Sequence, residues 1–130
     1  MVLVGGGGLA QWAWATGDYA RATAALAEGL DLYVRLGDGR SVADSLEGLA
    51  RVALSRHNSR RAARLFAAAD TIHESHRSRR MRWNWPTREE EHAAVRTQVG
   101  AEDFEAAWAE GRAMTLEQAI TYALAETAQT

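Results

Sequence analysis

An internal period of 40 residues constrains this chain more than any other feature of its sequence. Thr16-Gly17-Asp18-Tyr19-Ala20-Arg21-Ala22 returns at that shift as Arg56-His57-Asn58-Ser59-Arg60-Arg61-Ala62. The same shift carries Leu9 onto Leu49, Ala10 onto Ala50, Ala13 onto Ala53, Ala22 onto Ala62 and Leu26 onto Phe66. Each unit reads as two antiparallel helices about a tight turn, with small residues where the helices approach and a large one filling the gap. A single hairpin of this kind cannot bury its apolar face alone, so the units must stack.

Helical spacing of apolar residues extends this reading along the chain. Leu9, Trp12 and Ala13 lead to a break at Thr16-Gly17-Asp18. A second helix runs from about Tyr19 to Leu36, with Ala22, Leu26, Leu30 and Tyr33 or Val34 on one face, and Gly37-Asp38-Gly39 ends it. Ser41, with Asp44 three residues on, opens a third helix carrying Leu46, Leu49, Ala50 and Ala53. After His57-Asn58-Ser59 a fourth carries Ala62, Ala63, Phe66, Ala69 and Ile72 or His73. Trp85-Pro86 closes a connector, because proline disfavours helix in the residue before it. Thr87–Glu90 and Thr115–Gln118 have capping-box spacing, and between them a sixth helix covers roughly 102–111. The expectation is all-α: about seven helices in one domain over residues 1–130. Within it, 1–40 and 41–76 are repeats, 77–86 a connector and 87–130 capping helices in which Phe104, Trp108 and Tyr122 knit the last two together.

Composition excludes several functions. The absence of cysteine removes disulfide scaffolds and thiolate zinc sites. The VLVGGGGLA stretch at residues 2–10 invites a nucleotide-loop reading, but the chain holds no lysine for a P-loop and no strand before the glycines. It reads instead as the frayed first turns of a repeat cut from neighbours that packed on it, since interior glycines cost a helix about 1 kcal/mol each. No apolar run approaches the ~20 residues of a membrane span, and residues 1–10 lack a signal-peptide pattern, which suggests a cytoplasmic protein with no membrane partner. Charge is unevenly spread: residues 51–82 carry nine arginines against two acids, and residues 83–130 three against nine. Neighbouring helices should therefore attract one another, and self-association into a homo-oligomer has an electrostatic basis.

The run Leu9-Ala10…Ala13…Gly17-Asp18-Tyr19…Ala22…Leu26…Leu30, followed by Leu46–Ala53 and Ala62–Ala69, resembles a tetratricopeptide repeat with an extended Leu36–Arg40 connection. The segment from Glu102 to Leu124, above all Trp108-Ala-Glu-Gly-Arg-Ala-Met-Thr-Leu-Glu117, is similar to the end of the helical-repeat region in bacterial STAND-type ATPase regulators, including LuxR- and MalT-like transcription regulators. His57-Asn58-Ser59 departs from the Gly-Asp-Tyr or Gly-Asp-Pro of the usual turn, although Asn58 tolerates a left-handed or capping role. The resemblance implies a right-handed α-solenoid of stacked hairpins, closed by Met114, Leu116, Ile120 and Leu124. It implies a non-catalytic interaction and relay module whose partner is a protein, a peptide or other domains of a parent regulator. The first helix of each hairpin would line the concave, partner-binding face, placing there Gln11, Trp14, Asp44, Glu47 and Arg51.

Two other patterns compete with that face. Arg77, Arg79, Arg80, Arg82, Trp83 and Trp85 mix guanidiniums with indoles as single-strand binders do, but Glu89-Glu90-Glu91 follows and repels phosphates, so nucleic-acid binding stands third, after the partner-binding and self-association readings. His73 with His76, and Glu89 with His92, have helical i, i+3 spacing, yet no second Glu-x-x-His pair completes a di-metal motif. No nucleophile–base pair can be assembled either. The sequence thus points to no enzyme, no cofactor and no metal.

Overall fold

The structure is a computed structural model that describes residues 7–76 and 88–127. The described residues form seven helices and no strand: α1 (Gly7–Ala15), α2 (Tyr19–Leu36), α3 (Gly39–Ser55), α4 (Ser59–His76), α5 (Arg88–Val99), α6 (Ala101–Ala113) and α7 (Leu116–Thr127). Gly7 and Gly8 form the start of α1. No helix among the described residues is long and apolar enough to cross a membrane.

The period is written into the backbone. At the first turn Gly17 N donates to Trp14 O (3.1 Å) and Asp18 N to Ala13 O (2.8 Å); at the third, His57 N donates to Leu54 O (3.1 Å) and Asn58 N to Ala53 O (2.8 Å). The turn between them repeats the pattern, with Gly37 N on Val34 O (3.2 Å) and Asp38 N on Tyr33 O (3.0 Å). Each turn needs one left-handed residue, and Gly17 (φ 82°), Gly37 (φ 70°) and His57 (φ 62°) supply it every 20 residues. It is His57, not Asn58, that takes the left-handed position. A β-carbon there meets the backbone carbonyl, which is why glycine occupies the other two sites.

Two helix boundaries also differ from the sequence reading. Asp38 caps α3: its carboxylate accepts from Ser41 N (3.2 Å) and from Ser41 Oγ (2.7 Å), so the helix starts before Ser41. Helix α6 continues through Gly111 to Ala113, because this glycine serves packing and ends nothing. A β-carbon on Gly111 would lie 2.3 Å from Arg64 O and 2.7 Å from Ala67 Cβ, so only glycine lets α6 approach α4 this closely. The Thr115 cap forms as expected and is reciprocal, with Thr115 N on Gln118 Oε1 (2.9 Å) and Gln118 N on Thr115 Oγ1 (3.1 Å).

Helix α3 is the centre of the molecule, touching α1, α2, α4, α5 and α7, and from Val42 to Ala53 all its side chains but Asp44 are buried. Leu30, Leu46, Leu49 and Leu65 are its largest fully enclosed neighbours or members, each contributing about 1.5–3 kcal/mol of burial. On the far side of α4, α6 runs parallel to it. Arg60 meets Asp103 (3.0 Å), Arg64 meets Glu110 (3.3 Å) and Arg112 meets Glu74 (2.7 Å). These exposed pairs contribute register more than stability.

Helix α7 does not lie chiefly against α6, its neighbour in the chain. It turns back and packs on α2, α3 and α4. Tyr122, expected to knit α7 to α6, lies instead beneath the Arg61 guanidinium of α4, 5.4 Å from its ring centroid. Arg61 also donates to Ala123 O (3.2 Å) near the C-terminal end of α7, where carbonyls favour a cation. Phe104 and Trp108 stack on each other within α6, and Trp108 meets His92 of α5 edge-on at 4.6 Å. Leu116 remains exposed.

Candidate functional site

Asp44, Glu47 and Arg51 recur at three- and four-residue steps and so share one face of α3. The opposite faces of that helix hold Leu46, Leu49, Ala50 and Ala53, which fix its rotation in the core. Across from the polar face stands His73, in the last turn of α4, and beyond it Glu91, in the first turn of α5. An acid at a helix N-terminus is favoured by the helix dipole, which helps place Glu91 there.

The five side chains form a continuous network. His73 Nε2 lies 2.9 Å from Glu47 Oε1 and 3.5 Å from Asp44 Oδ1. The second oxygen of Glu47 faces Arg51 Nη2 at 4.0 Å. Arg51 makes a two-pronged pair with Glu91, through Nε to Oε2 and through Nη2 to Oε1 (3.3 Å). Glu47, Arg51, His73 and Glu91 are all buried, whereas the Asp44 side chain keeps 31% of its surface exposed and forms the open edge. Burial pushes the Asp44 carboxyl up to about 6; His73 opposes the shift, Glu47 adds to it, and Arg40 and Arg51 oppose it more weakly. Tyr33 of α2 is raised as well, first by burial and then by Asp38 and Asp44.

Of the five residues assigned to a partner-binding face, the structure brings three together and buries two of them. Glu47 and Arg51 are engaged within the fold, where a groove lining would have left them in solvent. Trp14 is half-buried, its indole donating to Ser55 Oγ (2.9 Å) and tying α1 to α3, and Gln11 is half-buried one turn earlier. Arg77, Arg79, Arg80, Arg82, Trp83 and Trp85 lie outside the described residues. His73 meets Asp44 and Glu47, and the His76 side chain of the expected His73–His76 pair lies outside the described ones. His92 packs between Phe66 and Trp108, with centroids 6.1 and 4.6 Å away, while Glu89 is exposed.

His73 and Glu91 were missed as members of this site. A usable signal existed for the first, since the apolar face of α4 falls on Ile72 or His73, and an imidazole at such a position needs a polar partner. Glu91 sat in an acidic triplet whose three members look alike in sequence, although only it turns inward.

No family model, curated protein or solved structure matches the chain in comparisons with known proteins.

Proposed function

We propose that this chain is a non-catalytic interaction and signal-relay module, built like the tetratricopeptide-type helical repeats of bacterial signalling ATPases and transcription regulators. Its partner is a protein or peptide segment, or another domain of a parent regulator. The observation that carries this reading is the recurrence of one hydrogen-bonded turn at the 40-residue shift together with the contact of α1 with α3 and of α3 with α5. Stacked hairpins of this kind present their alternate helices as one continuous surface, and extended binding surfaces are what such stacking provides. Gln11 and Asp44, partly exposed on α1 and α3, are its accessible polar members.

The test is selection of random displayed peptides against the full chain. A family of related peptides should emerge whose binding weakens about tenfold in Gln11→Ala or Asp44→Ala, as truncation of an interface contact does, and is untouched by Glu28→Ala on exposed α2 surface. Failure to enrich any family, or binding indifferent to the first two changes, would sink the proposal.

A second reading, self-association, is favoured by Trp12, which is 55% exposed on α1. Sedimentation over a wide concentration range separates the two. A dimer lost in Trp12→Ala supports pairing through α1, and a dilute, folded monomer rules it out.

A further inference from the structure

The geometry points to a binding site for one divalent first-row transition ion, held by Asp44, Glu47 and His73. The inference is independent of which partner, if any, the helical surface takes.

One ligand atom from each of the three residues can be chosen so that all lie within 4.8 Å of one another. A tetrahedral ion with donors at about 2.0–2.2 Å holds them about 3.3–3.6 Å apart, so small rotamer adjustments suffice. His73 Nε2 already stands 3.5 Å from Asp44 Oδ1 and 2.9 Å from Glu47 Oε1. The donors come from two helices. The i, i+3 spacing on α3 puts both carboxylates on one face, and the packing of α3 on α4 sets the imidazole opposite them.

The chemistry of the set narrows the ion. One imidazole with two carboxylates is harder than a thiolate site and softer than the all-oxygen cages of calcium or magnesium, which favours Zn²⁺, Fe²⁺ or Mn²⁺. Two carboxylates match a double positive charge, while Glu91 balances Arg51 beside them. Support for the ligands is also in place. Arg51, held by Glu91, faces the Glu47 oxygen that points away from His73 and so orients the other toward it. Glu47 and His73 are enclosed, and the partly exposed Asp44 side chain leaves the site open to solvent on one side.

The test uses the full chain, stripped with a chelator and titrated calorimetrically with Zn²⁺, and separately with Co²⁺ while recording visible absorption. One ion per chain is expected, with Co²⁺ bands typical of a mixed nitrogen–oxygen site. Asp44→Asn and His73→Gln should each weaken binding at least about tenfold, since loss of even a supporting group costs that much. His57→Gln and His92→Gln should leave it unchanged. Circular dichroism establishes that each variant is helical, and Asp44→Asn, at the open edge, keeps the test decisive if His73→Gln unfolds. Absence of binding by the folded wild-type chain, or undiminished binding by folded Asp44→Asn, would overturn the assignment.

Discussion

The α1–α2 and α3–α4 hairpins share a backbone and differ in chemistry. Their turns are hydrogen-bonded alike, and Ala10, Ala13, Ala22 and Leu26 are as buried as Ala50, Ala53, Ala62 and Phe66. Yet the positions 40 residues before Asp44, Glu47, Arg51 and His73 hold Val4, Gly7, Gln11 and Tyr33. The scaffold therefore asks only for small residues at helix crossings and a left-handed residue at the turn. The polar network is an addition to the second hairpin that the fold does not require, and it lies where α3 meets both α4 and α5.

That contrast can be broken most severely at Arg51. Truncation in Arg51→Ala leaves Glu47 and Glu91 buried beside each other without the guanidinium between them, and loss of about 3–5 kcal/mol is expected in denaturant unfolding. The equivalent Gln11→Ala should cost under about 1 kcal/mol, as surface-type changes do. If the two cost the same, the network is not what distinguishes the hairpins.

The next effect tests the packing on the other side of α4. Gly111→Ala forces a methyl group against Arg64 O and Ala67, and overpacking of this kind costs about 1–3 kcal/mol, read as a lower midpoint with an unchanged denaturant slope. An unchanged midpoint would mean that α6 can shift away from α4 freely.

A gain is expected at Asp44 in the chelator-treated protein. Its folded pKa of about 6 lies above the ordinary 3.8, so the folded chain binds more protons than the unfolded one between those values. Stability conferred by the protonated form is thus present below about pH 4 and is lost as pH rises through 6. Asp44→Asn should equal the wild type at pH 4 and exceed it at pH 8, by about 1–2 kcal/mol after discounting for partial exposure. No difference at pH 8 would mean that the carboxylate is well solvated.

The smallest effects sharpen the likeness of the two turns. Gly17→Ala should lose about 1 kcal/mol, because open space surrounds the residue and only its positive φ resists a side chain. His57→Gly should gain up to about 1 kcal/mol at the matching turn, where a histidine now bears that strain. Thermal melts of the pair check both signs, and a stabilised Gly17→Ala would contradict the shared geometry.

How much of this was legible beforehand depended on how local the cause was. The Tyr19–Leu36 helix was readable to its ends, because Asp18 caps it and Gly37 stops it within a few residues. The Thr115–Gln118 box was readable for the same reason. The reason for a glycine at Gly111 was not legible, since what requires it is Arg64 O, contributed from another helix. Tyr122 was placed against α6 because its neighbour in sequence is α6, whereas its partners are Arg61 and Arg64. Asp44 and Glu47 were singled out as polar members of α3, but their partner His73 arrives from α4 and their neighbour Glu91 from α5.

The sequence by itself determined the helices, their all-α class and the turn that recurs through them, because capping groups, left-handed residues and 3.6-residue periodicity act over a few bonds. Only the tertiary structure decided that α7 turns back over α2, α3 and α4, and that one imidazole and two carboxylates meet at the end of α4. Those outcomes depend on which helix faces which across many intervening residues, and the energy that selects them is spread over the whole core.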